Sequence, residues 1–121
     1  MAKTKKIIDV IYNLDEIDQV AQRIKNEIKN CAIIAFVGPL GAGKTTLIKK
    51  LLELAGVNEA ITSPTFTYLN VYTGTEHPWY HFDLYRIDSA QDFIDAGFTD
   101  YLFVDRGITL IEWPEVIESL L

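Results

Sequence analysis

Apolar residues recur at two spacings along this chain, and the two spacings predict different elements. In residues 14–29 they lie three or four positions apart, which predicts an amphipathic helix with Asn13 as its N-cap. The run CAIIAFV, residues 31–37, is short and apolar throughout, as expected of a central strand covered on both faces. Glycines interrupt it, and helical spacing resumes over residues 44–56, where Gly56 is a suitable stop.

Strands are predicted to outnumber helices in the rest of the chain. Runs rich in aromatic and β-branched residues predict four more strands, over residues 5–12, 62–73, 78–87 and 107–113. A short helix is expected between Ser89, its N-cap, and Gly97, its stop, and another helix begins at Pro114. Together these elements predict an α/β fold.

Length, charge and cysteine content narrow the functional classes. At 121 residues the chain is expected to form one domain over residues 1–121. Its net charge of −6 argues against gripping nucleic acid by itself, because Lys and Arg carry most of that affinity. No apolar stretch suits a membrane helix, and acidic residues follow the basic N-terminus too soon for a secretory signal, so we expect a cytoplasmic protein. The single Cys31 excludes an internal disulfide.

The segment between the central strand and the second helix carries the strongest chemical signal. Residues 38–45, GPLGAGKT, fit the pattern G-x-x-x-x-G-K-[ST] between a predicted strand and a predicted helix. The glycines let backbone N–H groups point at a phosphate, Lys44 adds positive charge, and the Thr45 hydroxyl suits Mg²⁺. The weaker alternative is a glycine turn with surface lysines. Nucleotide contacts are expected from Gly38, Leu40, Gly41, Ala42, Gly43, Lys44, Thr45 and Thr46.

A carboxylate follows the last predicted strand, in the segment TLIEW. Glu112 is expected where that strand meets solvent, a position from which P-loop proteins supply an acid for the nucleotide-bound metal. It would hold Mg²⁺ through water or orient an attacking water, and the alternative is a surface acid at a strand end. Trp113 beside it packs on the site or on a partner, with core packing as the equal alternative.

The segment YHFDLYR offers a second acid. In a strand, Asp83 shares a face with His81, and a carboxylate near the metal would suit water activation. His81 is more often a satisfied strand residue than a catalytic one. Arg86 would steady phosphate charge or pair with a nearby acid, and residues 63–65, Ser-Pro-Thr, form either a loop that responds to the γ-phosphate or a simple turn.

Four segments in order, GPLGAGKTT, TSPTFTY, YHFDLYRID and GITLIEWPE, resemble the TsaE family, formerly called YjeE. The match runs from about Asn13 to Glu115, nearly the whole chain. The resemblance implies a single-domain P-loop NTPase-like three-layer sandwich with a mixed, mainly parallel central sheet. It also implies a small ATPase that uses Mg²⁺, releases ADP, and is required for forming threonylcarbamoyladenosine in tRNA.

The resemblance further implies partners and residue roles. TsaD and TsaB would transfer the threonylcarbamoyl group and carry the tRNA, and ATP hydrolysis would reset their assembly between turnovers. Lys44 corresponds to the phosphate lysine, Thr45 and Glu112 to the Mg²⁺ ligands, and Asp83 to a functionally important aspartate, so Asp83 and Glu112 are the catalytic candidates. The partner or switch positions are Ser63, Pro64, Thr65, Phe66, Arg86 and Trp113.

The chain departs from the family pattern in three places. Pro39 stands where Asp is usual, and Ile17 where Thr is common in the first helix. Family members usually continue beyond EWPE with further strands and basic residues, so this chain, which stops at Leu121, is expected to be truncated or unusually short. Hydrolysis by the isolated chain is expected to be slow, because a partner would complete the site.

Two other functions remain open from the sequence. A small-molecule kinase would need an arginine-rich lid, whereas the only arginines are Arg23, Arg86 and Arg106. A nucleotide-gated binding module would bind ATP with almost no turnover. A phosphotransfer assay distinguishes a kinase from an ATPase, because a kinase would transfer the γ-phosphate to an acceptor. Replacing Glu112 by Ala distinguishes a binding module from an ATPase, because a binding module would keep its function without this carboxylate.

Overall fold

The centre of the fold is one five-stranded sheet. The computed structural model describes residues 4–5, 14–28, 31–37, 43–64, 66–102 and 106–121. The strands are β1 Thr4–Lys5, β2 Cys31–Phe36, β3 Leu69–Thr73, β4 Pro78–Asp83 and β5 Gly107–Glu112. They lie in the order β1-β2-β5-β4-β3, with every neighbouring pair parallel except the antiparallel β3 and β4. The sheet is therefore mixed and mainly parallel, as predicted.

The described helices cover the sheet on both sides. The α-helices are α1 Ile17–Glu27, α2 Lys44–Leu54 and α3 Ala90–Asp95, and short 3-10 helices span Leu14–Glu16, Phe98–Leu102 and Pro114–Leu120. The predicted cap of α3 is confirmed, because the Ser89 side chain accepts a hydrogen bond from the Asp92 N–H. Within the described ranges, no helix combines the length and the apolar character needed to cross a membrane.

Apolar residues fill both faces of the sheet and give three layers. On one face, Ile108 and Leu110 of β5 pack in the same cluster as the buried sides of α1 and α2. On the other face, Phe82 and Ile111 pack with Phe93 of α3 and with the 3-10 helices. All residues of β5 are buried, as expected of a strand covered on both faces. The predicted layered α/β architecture is confirmed.

The strand register brings three strand ends together. Phe36 at the end of β2 and Asp83 at the end of β4 pair with Glu112, which lies between them at the end of β5. Because side chains alternate along a strand, Glu112 shares its face with Ile108 and Leu110, the face that α2 covers. The carboxyl edge of the sheet therefore places Glu112 beside α2.

Two predicted strands are too long. The predicted strand over residues 62–73 is wrong in the described residues 62–64 and 66–68, because the Tyr68 N–H donates to the Pro64 carbonyl at 2.9 Å and Tyr68 takes a φ of 67°. The predicted strand over residues 78–87 is wrong after Asp83. There the Asp83 carboxylate accepts the Tyr85 N–H at 3.1 Å, an Asx-type turn that redirects the chain.

Other predicted elements differ in form or lie outside the described residues. The helix predicted from Pro114 takes the 3-10 form and is interrupted at Ile117, where φ is −115°. The 3-10 helix Phe98–Leu102 was not anticipated. The strand predicted over residues 5–12 is described only at Lys5, and the predicted cap Asn13 lies outside the described residues.

Candidate functional site

The first turn of α2 begins directly after the glycine-rich segment. Gly43 occupies the N-cap with φ of 85°, a left-handed conformation that glycine adopts without a side-chain clash. Lys44, Thr45 and Thr46 follow, and the N–H groups of a first helical turn have no carbonyl partner within the helix. These groups and the helix dipole favour an anion at this end of α2. The predicted contacts at Gly38, Leu40, Gly41 and Ala42 lie outside the described residues.

Glu112 is the buried acid of the site. Its side chain is only 3% exposed, so the expectation that it meets solvent is wrong, although it does end the strand. The Thr45 hydroxyl donates to Oε1 at 2.9 Å, and Nε2 of His81 lies 2.8 Å from Oε2. Each carboxylate oxygen thus has a side-chain partner. These bonds offset the loss of hydration that burial imposes on a carboxylate.

Lys44 is folded back onto an aromatic ring. Its residue is 7% exposed, and its Nζ lies 3.5 Å from the centroid of the Trp113 ring, a cation–π contact. Trp113 takes a left-handed φ of 58° immediately before Pro114, so the chain leaves the direction of β5 at this residue. The ring of Tyr85 packs on Trp113 with centroids 4.9 Å apart. Trp113 also packs against the core. Its contacts therefore include both packing on the candidate site and core packing, the two alternatives that the sequence left open.

Asp83 is the second acid, next to Glu112 in the sheet register. Its Oδ2 accepts a hydrogen bond from the Ser63 hydroxyl at 3.3 Å, and its Oδ1 accepts the Tyr85 N–H at 3.1 Å. Asp83 is partly exposed and Ser63 is exposed. The contact connects the segment before β3 to the carboxyl edge of the sheet, as a loop that responds to the site would require.

The segment around Ser63 has one fixed end and one exposed end. The fixed end is Thr62, which is bound by the hydroxyl of Tyr72, a residue only 4% exposed. This hydroxyl accepts a hydrogen bond from the Thr62 N–H and donates one to the Thr62 carbonyl, both at 3.1 Å. Pro64 is buried, whereas Phe66 is 81% exposed. The guanidinium carbon of Arg86 lies over the Phe66 ring, 5.2 Å from the centroid of that ring. Thr65 lies outside the described residues.

The structure thus divides the predicted site residues into two groups. One group gathers at the junction of α2 and β5 and contains Lys44, Thr45, Glu112 and Trp113. The other lies around the end of β4 and contains Ser63, Pro64, Phe66, Asp83 and Arg86. Thr46 is exposed in the first turn of α2.

Sequence reasoning left His81 outside the candidate site. The signal available was its alternation with Asp83, which places both side chains on one face, and the structure confirms that they share this face. What the sequence could not supply was the parallel pairing of β4 with β5, which brings His81 beside Glu112. His81 is fully buried and contacts Glu112, so it joins the candidate site.

The oxygen atoms at the junction suit a hard divalent cation. The Thr45 hydroxyl has one hydrogen, which it donates to Glu112, and its lone pairs stay available as ligands. Mg²⁺ is usually held by one or two protein oxygens together with waters and substrate phosphates. In the part of the chain that the structure describes, no group of three or more His, Cys, Asp or Glu side chains forms a metal site by itself.

Fold and site define the class of this protein. A helix that begins at Gly-Lys-Thr after a central parallel strand, with an acid from the neighbouring strand bonded to that threonine, is the arrangement of the P-loop NTPase fold. The chain belongs to the TsaE family, whose model, described as threonylcarbamoyl adenosine biosynthesis protein TsaE, matches residues 11–121.

Curated proteins and a solved structure are similar to the chain. A protein of Rickettsia felis, named tRNA threonylcarbamoyladenosine biosynthesis protein TsaE, is 34% identical over 93% of this chain and 65% of its own length. The protein of the same name from Bacillus subtilis is 35% identical over 90% of this chain and 67% of its own length. The crystal structure of YdiB from Bacillus subtilis matches with a TM-score of 0.71 and 30% identity over 92% of this chain.

The match covers this chain more fully than it covers its relatives. The alignments span 65% of the Rickettsia felis protein, 61% of its namesake from Rickettsia conorii, and 66% of the YdiB chain. The chain therefore spans slightly less than two thirds of the length of these proteins.

Proposed function

We propose that this chain binds Mg²⁺–ATP at the carboxyl edge of its sheet and hydrolyses it to ADP and phosphate. The observation that carries this proposal is the 2.9 Å contact between Thr45 Oγ1 and Glu112 Oε1. These residues are 67 positions apart in sequence. A nucleotide site of the P-loop kind needs its helix threonine and its strand acid together, because both serve the metal on the β- and γ-phosphates.

The phosphates would bind at the N-terminus of α2. The N–H groups of its first turn and the positive end of its dipole favour an anion there, and the segment 38–42 leads into it. The ammonium of Lys44 is already at this site, over the Trp113 ring. To reach a phosphate, the flexible Lys44 side chain would give up its contact with that ring.

The oxygen donors fit a bound Mg²⁺, with Thr45 and Glu112 as the residues that would hold it. Such a cation neutralises the charge that develops on the phosphate oxygens during transfer. The protein's own part is to keep Thr45 and Glu112 together. Burial of Glu112 and its two side-chain hydrogen bonds accomplish that in the structure as it stands.

Asp83 is our candidate for orienting the attacking water. It lies next to Glu112 in the register, is partly exposed, and ends a strand at the same edge. The water oxygen would form a bond to the γ-phosphorus as the bond from that phosphorus to the β–γ bridging oxygen breaks, which releases ADP. The Asp83 carboxylate would accept the proton that the water loses. Arg86, three residues further on, would supply positive charge to the phosphate oxygens after leaving the Phe66 ring.

We place this activity in the formation of threonylcarbamoyladenosine in tRNA, with TsaD and TsaB proteins as partners. The family to which the chain belongs and the names of its relatives support this placement. The net charge of −6 fits a division of labour in which the partners carry the tRNA. The exposed Phe66 and the Ser63–Asp83 contact offer a segment through which ATP hydrolysis would reset that assembly in the cytoplasm.

ATP turnover with and without the partners tests this function. We expect slow, Mg²⁺-dependent release of phosphate by the chain alone and faster release when TsaD, TsaB and tRNA are added together. Absence of nucleotide binding would contradict the site itself. Normal binding without any stimulation by the partners would contradict only the proposed role in tRNA modification.

The same preparation distinguishes hydrolysis from phosphotransfer. Of the three arginines, Arg23 forms an ion pair within α1 with Glu27 at 3.5 Å, and Arg106 donates to the Glu76 carbonyl, so only Arg86 lies near the site. An arginine-rich lid is therefore missing from the described part of the chain. With labelled ATP and a panel of nucleosides and small alcohols, we expect the label in free phosphate, and label on an acceptor would indicate a kinase.

A further inference from the structure

One of the two side-chain hydrogen bonds to the buried Glu112 carboxylate comes from His81. His81 is fully buried in β4, and its Nε2 lies 2.8 Å from Oε2 of Glu112. This is the carboxylate oxygen that Thr45 does not contact. We infer that His81 is a positioning residue that fixes the Glu112 carboxylate, so that Oε1 faces Thr45 and the cation. The inference rests on the proposed function, since it concerns the same nucleotide site.

The geometry fixes which imidazole nitrogen donates. Nε2 must carry its hydrogen, because a bare Nε2 would direct its lone pair at a carboxylate oxygen. Nδ1 is also buried, and within the described ranges no hydrogen-bond partner reaches it. Among the described residues, the imidazole of His81 therefore has one hydrogen-bond partner, the Glu112 carboxylate. A fully buried imidazole with one directed bond is held in one orientation.

Glu112 needs such a restraint because of where it stands in the chain. It is the last residue of β5, and the backbone turns to the left-handed conformation at Trp113 immediately afterwards. Thr45 restrains one oxygen from α2, and without a second donor the carboxylate would remain free to rotate about its terminal bond. His81, supplied by the neighbouring strand β4, holds the other oxygen and so defines the plane of the group.

Residues that orient a metal ligand affect metal affinity more than they affect the rest of the ligand-binding site. Loss of such a partner typically weakens metal binding by about 10- to 100-fold. His81 makes its directed contact with Glu112, the proposed metal ligand, and not with the start of α2, where the phosphates would bind. Its loss should therefore change the Mg²⁺ dependence of nucleotide binding and leave metal-free nucleotide binding almost intact.

A pair of amide substitutions isolates this role. Gln places its amide nitrogen near the position of Nε2, whereas Asn is one methylene shorter and places it near Nδ1, out of reach of Glu112. We therefore compare His81→Gln with His81→Asn, both neutral and polar. His77→Asn is the matched control, because His77 is the other histidine and stacks on Trp79 away from Glu112.

The measurement is the affinity of a fluorescent ATP analogue, first in EDTA and then over a Mg²⁺ titration, with circular dichroism melts confirming folding. For His81→Asn we expect the half-saturating Mg²⁺ concentration to rise about 10- to 100-fold, with the metal-free affinity within about twofold. His81→Gln should recover most of the loss, and His77→Asn should match the unsubstituted chain. Repeating the titration with Mn²⁺, detected by electron paramagnetic resonance, measures cation binding without turnover.

The possible results distinguish a failure of the inference about His81 from a failure of the proposed nucleotide-binding function. If folded His81→Asn and His81→Gln both keep the original Mg²⁺ dependence, His81 does not position Glu112, while the nucleotide site stands. If both lose metal and nucleotide affinity equally, the residue acts through general stability and the inference is overturned. If the unsubstituted chain binds no analogue with or without Mg²⁺, the proposed function falls and this inference with it.

Discussion

The two acids at the carboxyl edge of the sheet are neighbours in register, yet their surroundings differ. Glu112 ends β5, is 3% exposed, and bonds to Thr45 and His81, which are held by a helix and a central strand. Asp83 ends β4, is partly exposed, and bonds to the exposed Ser63 and to the Tyr85 N–H in a turn. One acid is built into the core, and the other faces a loop.

This difference suggests how the proposed site divides its work. Partners of Glu112 belong to packed elements, so its geometry exists before any nucleotide arrives, and such preorganisation favours metal binding. Partners of Asp83 are the exposed Ser63 and the backbone of the exposed Tyr85, which lie in a loop and a turn, where local rearrangement is easiest. The β5 end is thus suited to hold the nucleotide, and the β4 end to change with the γ-phosphate and to signal to a partner.

The largest effect is expected from Glu112→Gln. The amide group must direct an N–H at either Thr45 Oγ1 or His81 Nε2, both of which donate hydrogen bonds at 2.9 Å and 2.8 Å in the native site. We expect kcat for ATP hydrolysis to fall about 10³-fold, because weakened metal binding removes transition-state stabilisation. Phosphate release is the measurement and Glu115→Gln, at an exposed neighbouring acid, is the control. Unchanged kcat with normal Mg²⁺ dependence would contradict the role of Glu112.

Asp83→Asn should separate the two ends of the site. We expect kcat to fall about 10²-fold, the scale of a lost general base, with less than about threefold change in Mg²⁺-dependent nucleotide affinity. Asp88→Asn is the control, since Asp88 is exposed beyond the strand. An equal loss of metal affinity in Asp83→Asn and Glu112→Gln would contradict the proposal that only the β5 end of the site holds the metal.

A smaller effect, of opposite sign, is expected at Trp113. Trp113→Leu removes the ring on which the Lys44 ammonium rests, so the lysine no longer gives up a cation–π contact when it meets a phosphate. We expect nucleotide affinity, measured by calorimetry, to rise about two- to fivefold, equivalent to ~0.5–1 kcal/mol. Tyr85→Leu deletes the ring packed on Trp113 but leaves the lysine contact, and should change affinity less. Weaker binding by Trp113→Leu would instead make the ring part of the nucleotide site.

The smallest effect is expected on the outer surface of α1 and α2, far from both acids. A hydrogen bond and the charge of Asp18, with a further contribution from Glu53, raise the pKa of Lys50 above its ordinary value of 10.5. A raised folded-state pKa gives stability that is complete at neutral pH and is lost as the pH rises through that folded value. Asp18→Asn should therefore lower the urea midpoint slightly at pH 7 but not above the folded-state pKa of Lys50, with ATP turnover unchanged. A larger decrease of the urea midpoint at high pH than at pH 7 would contradict a raised pKa of Lys50.

Local sequence pattern was sufficient for the elements that build the rigid end of the site. Apolar periodicity predicted a helix over residues 14–29, of which Ile17–Glu27 form α1 and Leu14–Glu16 take the 3-10 form. The run that begins at Cys31 predicted β2 to within one residue at its end. The glycine-lysine-threonine motif placed the start of α2 at Lys44. These features follow from helix periodicity and strand burial, which are readable over a few residues. Thr45 and Glu112 were likewise predicted to share a metal, and the structure brings them together.

The remaining features depend on contacts between distant segments. To anticipate the contact of His81 with Glu112 one would need to know that β4 lies parallel to β5 with Asp83 opposite Glu112, and no local pattern encodes that register. The segment before Leu69 is rich in strand-forming residues, yet the hydrogen bond from Tyr68 to Pro64 turns it into the loop that carries Ser63. Burial of Glu112 was missed for the same reason, because its cover comes from α2 and β4.

The most direct test of the central claim is a crystal structure of the chain with Mg²⁺ and a non-hydrolysable ATP analogue. We predict Thr45 Oγ1 at about 2.0–2.1 Å from the cation and the Glu112 carboxylate bound to the metal or to one of its waters, with His81 still on Oε2. A cation bound away from Thr45, or a Glu112 side chain turned from it while nucleotide occupies the start of α2, would contradict the account.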